Sequence, residues 1–171
     1  MLKLVGAMLI VLATTLIGFR VAGAYRDRPR QLRSLIRALT HLQAEVEYQT
    51  TPLPVALQNV AARGSPPCST MFQRVSDHLI KDGMTVSEAF RVSLVRLVGE
   101  SALQSADCEA IQSVADSLST MDVTHLQTQF QMALEALRQA ESGAREHGLK
   151  NARLWQYLGV LTGVILVILL Y

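Results

Sequence analysis

The spacing of apolar residues divides the chain into three stretches. From Leu4 to Phe19 it is apolar apart from Thr14 and Thr15, and the run extends to Ala24 if Arg20 snorkels toward lipid headgroups. Such a run reaches roughly 24–31 Å as a helix, enough to cross a hydrocarbon core of about 30 Å. At the other end, Leu154–Tyr171 is eighteen residues without a charge, interrupted only by Gln156, Gly159, Thr162 and Gly163. This too reads as a transmembrane helix. Between them the apolar positions recur every three or four residues, the period of helices with one buried face.

Asp27 is placed to cap the first of these helices, with Pro29 in its first turn, where a missing N–H costs little. Leu32, Leu35, Ile36, Leu39, Leu42 and Val46 form its stripe. Thr51-Pro52 repeats the cap-plus-proline pattern, and Leu53, Ala56, Leu57 and Val60 give a shorter helix ending at Gly64. After Ser65-Pro66-Pro67, Met71, Phe72, Val75 and Leu79 line one face until Gly83 stops the helix. Thr85-Val-Ser-Glu88 is a capping box followed by Ala89, Phe90, Leu94, Leu97 and Val98. Ser105 is a candidate cap for the next helix, with Asp107 and Glu109 well placed against its positive end and Ile111, Val114, Ala115 and Leu118 as its core face. Asp122 or Thr124 opens the last, whose stripe is Leu126, Phe130, Ala133, Leu134 and Leu137. Gly143 and Gly148 weaken that helix without breaking it, so it can run on toward the second hydrophobic segment. No strand-like alternation of useful length occurs.

The fold class is therefore all-α: a bundle of about six helices over 25–153, between an N-terminal transmembrane helix over 1–24 and a C-terminal one over 154–171. Charge sets the orientation. Lys3, Arg20, Arg26, Arg28, Arg30, Arg33, Lys150 and Arg153 stand against one acid, Asp27, in the membrane-proximal segments. Ser34–Leu149 has eight basic and thirteen acidic residues and so carries about −5. The basic cluster Arg26, Arg28, Arg30 and Arg33 follows the first apolar run, and Lys150 and Arg153 precede the second, which predicts both termini outside and the bundle in the cytoplasm. Ala22-Gly23-Ala24 has the small-residue look of a signal-peptide cleavage site, but the arginines beyond it resist export. An acidic bundle argues against nucleic-acid binding. In the second span, Gly159 and Gly163 are spaced to let another helix approach closely, on the first span or on a partner subunit.

Catalytic chemistry lacks its minimal parts. The chain has no Walker-type phosphate loop, no GxGxxG, no HExxH and no Cys/His cluster, and so no cofactor is expected. His41, His78, His125 and His147 are scattered singly. Cys68 and Cys108 fit a pair of small half-buried residues in a reducing compartment. Glu45 and Glu47 alternate on one helix and face apart, unlike a paired acid and base. Glu45 lies with Leu42 and Tyr48 near the turn at Thr51-Pro52; Glu45 and Tyr48 are candidate partner-binding residues, with a plainly solvated carboxylate as the blander reading of Glu45.

The opening Leu2-Lys3-Leu4-Val5-Gly6-Ala7 with Gly18-Phe19, then Tyr25 to Arg33, then Glu45-Val46-Glu47-Tyr48 before Thr51-Pro52-Leu53, resembles the stage III sporulation protein AB family. The ending, Leu158-Gly159-Val160-Leu161 with Gly163 and Leu166 to Leu170, looks like that family's C-terminal anchor. Where the family tends to have Glu-Ile-x-Tyr-Gly, this chain has Val46 in the isoleucine place and Gln49 after Tyr48, and the stretch from Arg63 to Val98 matches only loosely.

The resemblance implies a non-enzymatic membrane scaffold in the mother-cell membrane facing the forespore, part of the channel complex that links the two compartments. The implied partners are a secretion-type ATPase similar to stage III sporulation protein AA, other membrane subunits of the channel and the lipid bilayer. The family is in turn similar to the F-type platform domain of type II secretion and type IV pilus machines, so an inner-membrane platform subunit of such a machine is the alternative. A small receptor whose bundle binds a ligand is a third reading, weakened by the lack of a convergent polar cluster.

Overall fold

The structure is a computed structural model that describes residues 2–47, 51–120 and 125–146, with backbone only for 2–22 and for 24–25. Among these residues every regular element is a helix. The helices are α1 (Leu2–Glu47), α2 (Leu53–Arg63), α3 (Cys68–Lys81), α4 (Val86–Glu100), α5 (Ser105–Thr120) and α6 (125–146). The chain divides into two compact units, one of Met1–Pro29 with Gly143–Tyr171 and one of Arg30–Ser142. The two expected membrane spans fall where side chains or the whole residue lie outside the described set, as do Gly159 and Gly163. In the remainder no helix is long and apolar enough to cross a membrane.

The helix expected to begin at Asp27 does not begin there. Pro29 lies inside α1, which is continuous over 46 residues. A proline within a helix forfeits one backbone hydrogen bond to the carbonyl four residues earlier. The arginines, glutamine and leucines around it are good helix formers and carry the helix through.

The second unit is a bundle around the later part of α1. Leu32, Leu35, Leu39 and Leu42 are completely buried, and Ala38 nearly so, whereas Ile36 and Val46 at the edge of the stripe are half-buried. Ala56, Leu57 and Val60 of α2 are buried, as are Met71, Phe72 and Val75 of α3. Helix α2 packs on α3, α3 on α4, and α4 on α5. At the α3–α4 contact the Phe72 and Phe90 rings meet edge to face, 6.4 Å between centroids, a geometry that aligns one ring's positive edge with the other's negative face. Phe130, Ala133, Leu134 and Leu137 bring α6 into the core, and Gly143 lies within that helix without ending it. The stripes predicted for α3 to α6 are thus the buried faces, except that Leu79, Val98 and Leu118 at their margins stay half-buried.

Helix ends show which polar groups the core enlists. Thr85 caps α4 by accepting from the Glu88 N–H at 3.4 Å, the hydroxyl half of the predicted box. Gly83, with φ +63°, ends α3 in the left-handed region, where a Cβ would be strained. Two expected caps are displaced. Pro52 rather than Thr51 precedes α2 and, having a hydrocarbon ring, gives no side-chain bond, while the Thr51 hydroxyl is engaged with Glu45. Ser105 is the first residue of α5 rather than its cap; Asp107, buried to 4 % exposure, reaches back and accepts from the Gln104 N–H at 2.8 Å.

Polar ties cross between helices where the core leaves room. The Gln31 amide oxygen accepts from the Ala102 N–H at 2.8 Å, fixing the α4–α5 loop against α1, and the buried Ser76 hydroxyl donates to the Pro54 carbonyl at 3.0 Å. On the surface, Arg74 from α3 and Arg96 from α4 both bond Glu100, at 2.9 and 2.8 Å, and hold its carboxyl below the usual range. Water and salt screen such exposed pairs, so the aromatic and leucine burial carries most of the stability.

Phe72→Ala is expected to lower stability by about 3–5 kcal/mol, while Val95→Ser, on a side chain 71 % exposed, stays within about 0.5 kcal/mol. Denaturant unfolding of the full chain in a non-ionic detergent, followed by circular dichroism, checks both; equal midpoints for the two variants would contradict the assignment of the core.

Candidate functional site

The buried stripe of α1 does not stop at its last leucine. Glu45 lies three residues beyond Leu42, on the same face, and is only 4 % exposed. It is therefore not the solvated carboxylate of the blander reading. A buried carboxylate needs hydrogen-bond donors, and the chain supplies them across the α1–α2 corner. The Thr51 hydroxyl donates to Glu45 Oε2 at 3.1 Å and Asn59 Nδ2, from α2, donates to the same oxygen at 3.4 Å. The Thr51 N–H also reaches the Glu45 carbonyl at 3.4 Å. Glu47 is engaged separately, accepting from Gln43 Nε2 at 3.0 Å, so the two carboxylates do not converge. Tyr48, the other candidate partner-binding residue, lies outside the described residues. With neutral donors on Oε2, Glu45 is arranged as a clamp on the corner.

Beside this corner, α1 and the end of α2 enclose a cavity of about 390 Å³. Ser34, Arg37 and His41 line it from α1, Val60 and Arg63 from α2, and Ser65 from the following loop. The Ser34 and Ser65 hydroxyls on its wall are hydrogen-bonded to each other at 3.3 Å. Gly64 shapes the loop: an added Cβ would come within 3.2 Å of the Ser69 Cβ and 3.3 Å of the Val60 carbonyl oxygen. Sequence reasoning treated His41 as isolated and did not assemble this set. A signal was available, because Arg26, Arg30, Arg33, Arg37 and His41 follow one another at four- and three-residue steps along a single helical face. Of the predicted basic cluster, Arg26, Arg30 and Arg33 are exposed on α1 and Arg28 is half-buried, while Arg33 pairs with Glu141 of α6 at 2.6 Å.

A second groove, about 210 Å³, runs between α4 and α5 past Leu94, Val95, Val98 and Gln112. Gln112 spends its amide N–H groups on the Ser87 carbonyl and hydroxyl and on Asp116. Among the described residues no group of three or more His, Cys, Asp or Glu side chains could hold a metal ion. Cys68 and Cys108 are free and buried rather than half-buried. Burial pushes each thiol up to about 11, opposed at Cys68 by a hydrogen bond with Ser34 and reinforced at Cys108 by the neighbouring charge of Asp107.

The helical bundle, its continuous first helix and the corner at Glu45 can be set beside known proteins. The family model for stage III sporulation protein AB matches residues 3–171. The chain belongs to the stage III sporulation protein AB family. Stage III sporulation protein AB of Bacillus subtilis (strain 168) is 37% identical over 170 residues, 99% of each chain. A solved structure of a stage III sporulation protein AB superposes with a TM-score of 0.68 at 32% identity, covering 72% of this chain and 97% of that one. The family resemblance seen in the residues is thus established over the whole chain, and the relatives bear no enzymatic name.

Two outcomes follow from this geometry. Glu45→Ala is expected to cost about 1–3 kcal/mol by leaving Thr51 and Asn59 without their acceptor, and Glu45→Gln, which keeps one carbonyl oxygen, recovers at least half of the loss in the same denaturation assay. The thiols give a pH dependence. Their native values are raised, so at alkaline pH the fold retains protons that the unfolded chain releases. Their contribution is full below the ordinary thiol value of 9.0 and is lost as pH climbs through about 11. The melting temperature of the parent should therefore fall more steeply above pH 9.0 than that of a Cys68→Ala/Cys108→Ala variant.

Proposed function

We propose that this chain is a non-catalytic membrane scaffold of the complex that joins the mother cell to the forespore, with its bundle held in the mother-cell cytoplasm to dock a secretion-type ATPase similar to stage III sporulation protein AA. The observation that carries the reading is the family match from residue 3 to residue 171, which takes in both hydrophobic ends as well as the bundle. Charge placement supports the topology. Arginines follow the first apolar run and Lys150 and Arg153 precede the second, so export of the bundle would drag basic residues across the membrane at both ends.

Two anchors suit a scaffold physically. A single flexible tether leaves a domain free to tumble, whereas attachment at both ends restricts the bundle's height and orientation above the bilayer, so a motor below it can transmit force to membrane partners. Gly159 and Gly163 are the residues through which the second anchor packs on another helix, either the first span or a neighbouring subunit of the channel. Glu45 supports partner binding indirectly, by keeping the α1–α2 corner in one shape, and Tyr48 lies in the same turn of sequence.

Affinity-tagged full-length chain from sporulating cells is expected to co-purify the AA-like ATPase, and its deletion to block sporulation after engulfment. Reporter fusions at both termini should be active only on the outer side of the membrane. Absence of the ATPase together with normal sporulation of the deletion strain would overturn the scaffold reading, and reporters active on the inner side would overturn the topology.

A further inference from the structure

We infer that the cavity between α1 and the end of α2 is a binding site for a phosphate group, held by Arg37 and Arg63 with His41 and the Ser34 and Ser65 hydroxyls beside them. The inference is independent of ATPase docking, because it rests on what the cavity's own walls require. Two guanidiniums and an imidazole line it, and no carboxylate is among the described residues that do. Like charges brought together repel unless an anion sits between them. The nearest acid on α1, Glu45, is turned inward onto Thr51 and Asn59 and is already engaged.

The arginines are free to act. Arg37 donates only its Nε, to the Arg33 carbonyl at 3.3 Å, which anchors the side chain and leaves its terminal nitrogens uncommitted among the described residues. Arg63 makes no ion pair among the described residues, in contrast to Arg33, Arg74 and Arg96, each of which has found a glutamate. As the last residue of α2, Arg63 also faces that helix's negative end, which is a sufficient reason for a basic residue there but not for its convergence with Arg37 and His41.

Guanidinium forks match phosphate oxygens in geometry as well as charge, and serine hydroxyls supply further donors. A volume of about 390 Å³ exceeds what one acidic side chain fills and falls in the range of small-ligand sites. Val60 gives the cavity an apolar wall against which the uncharged part of a phosphate ester can rest. Among the described residues that line it there is no Phe, Tyr or Trp, which favours a ligand without a nucleotide base. The ligand class is therefore a phosphate monoester or diphosphate, from a soluble compound or from a lipid headgroup.

The test is calorimetric titration of the full chain in a maltoside detergent with inorganic pyrophosphate. Saturable binding is expected, weakened about tenfold by Arg37→Gln and by Arg63→Gln. Both side chains are exposed, and circular dichroism confirms that the variants keep the parent fold. Arg91→Gln, beside the other groove, should leave binding unchanged. Repeating the titration in nanodiscs separates the sources. Weaker pyrophosphate binding with phosphatidic acid, a phosphate monoester, than with phosphatidylglycerol at matched surface charge assigns a lipid headgroup, and equal binding assigns a soluble phosphate compound. The inference is overturned by no saturable binding up to roughly 10 mM, by a folded Arg37→Gln/Arg63→Gln variant that binds like the parent, or by a glutamate-rich peptide that saturates the groove while pyrophosphate does not.

Discussion

Everything in the bundle depends on the removal of one leucine stripe from water. Leu32, Leu35, Leu39 and Leu42 of α1 have no exposure, and at about 2 kcal/mol for each fully buried leucine they supply a large part of the net stability of a domain this size. A stripe buried that completely must be covered along its length; Asn59 of α2, Cys68 of α3 and the α4–α5 loop at Ala102 all reach α1, and the short helices stack in sequence, α2 on α3, α3 on α4, α4 on α5. Phe72 and Phe90 lock the middle of that stack, and α6 adds a second set of apolar side chains around Phe130.

The same burial explains the polar groups inside. Once the face of α1 carrying Leu42 is dry, Glu45 on that face is dry too, and it persists because Thr51 and Asn59 meet its carboxylate. Asp107 is kept in a similar way by the Gln104 N–H, and Ser76 by the Pro54 carbonyl. These bonds tie helix ends and neighbouring helices to one another. They add specificity where apolar packing alone would allow the helices to slide, since a buried polar group left unmatched costs more than a hydrophobic contact slightly misplaced.

Function follows the division between held and unheld groups. The carboxylates within the core are committed to hydrogen bonds that hold the fold. The arginines on the outer face of α1 are different: Arg33 is matched by Glu141, while Arg37 extends toward a cavity walled by Arg63. The proposed scaffold role calls for a rigid interior and addressable outer surfaces, and the two lie on opposite faces of α1. The thiols belong to the interior, where burial holds them protonated and unreactive.

Periodicity alone revealed the helices, their order and most of the buried faces, because a stripe at three- and four-residue steps has one energetic use in water. Local chemistry revealed the Thr85 cap and the stop at Gly83 for the same reason: each depends on neighbours in sequence. The family was legible from ordered short motifs spread along the chain. Other features depended on partners far away in sequence or on competition between them. Thr51 is a good cap by local rules, yet its hydroxyl serves Glu45 instead, and Glu45 is buried only because α2 folds back over α1. Pro29 marks a helix start locally, but the favourable residues on both sides carry α1 through it. The cavity joins Arg37 and His41 to Arg63 and Ser65 across the α1–α2 corner, and no spacing along the chain encodes that meeting. Only the packing of α2 against α1 decided it, since the distance between charges on different helices is set by the core beneath them.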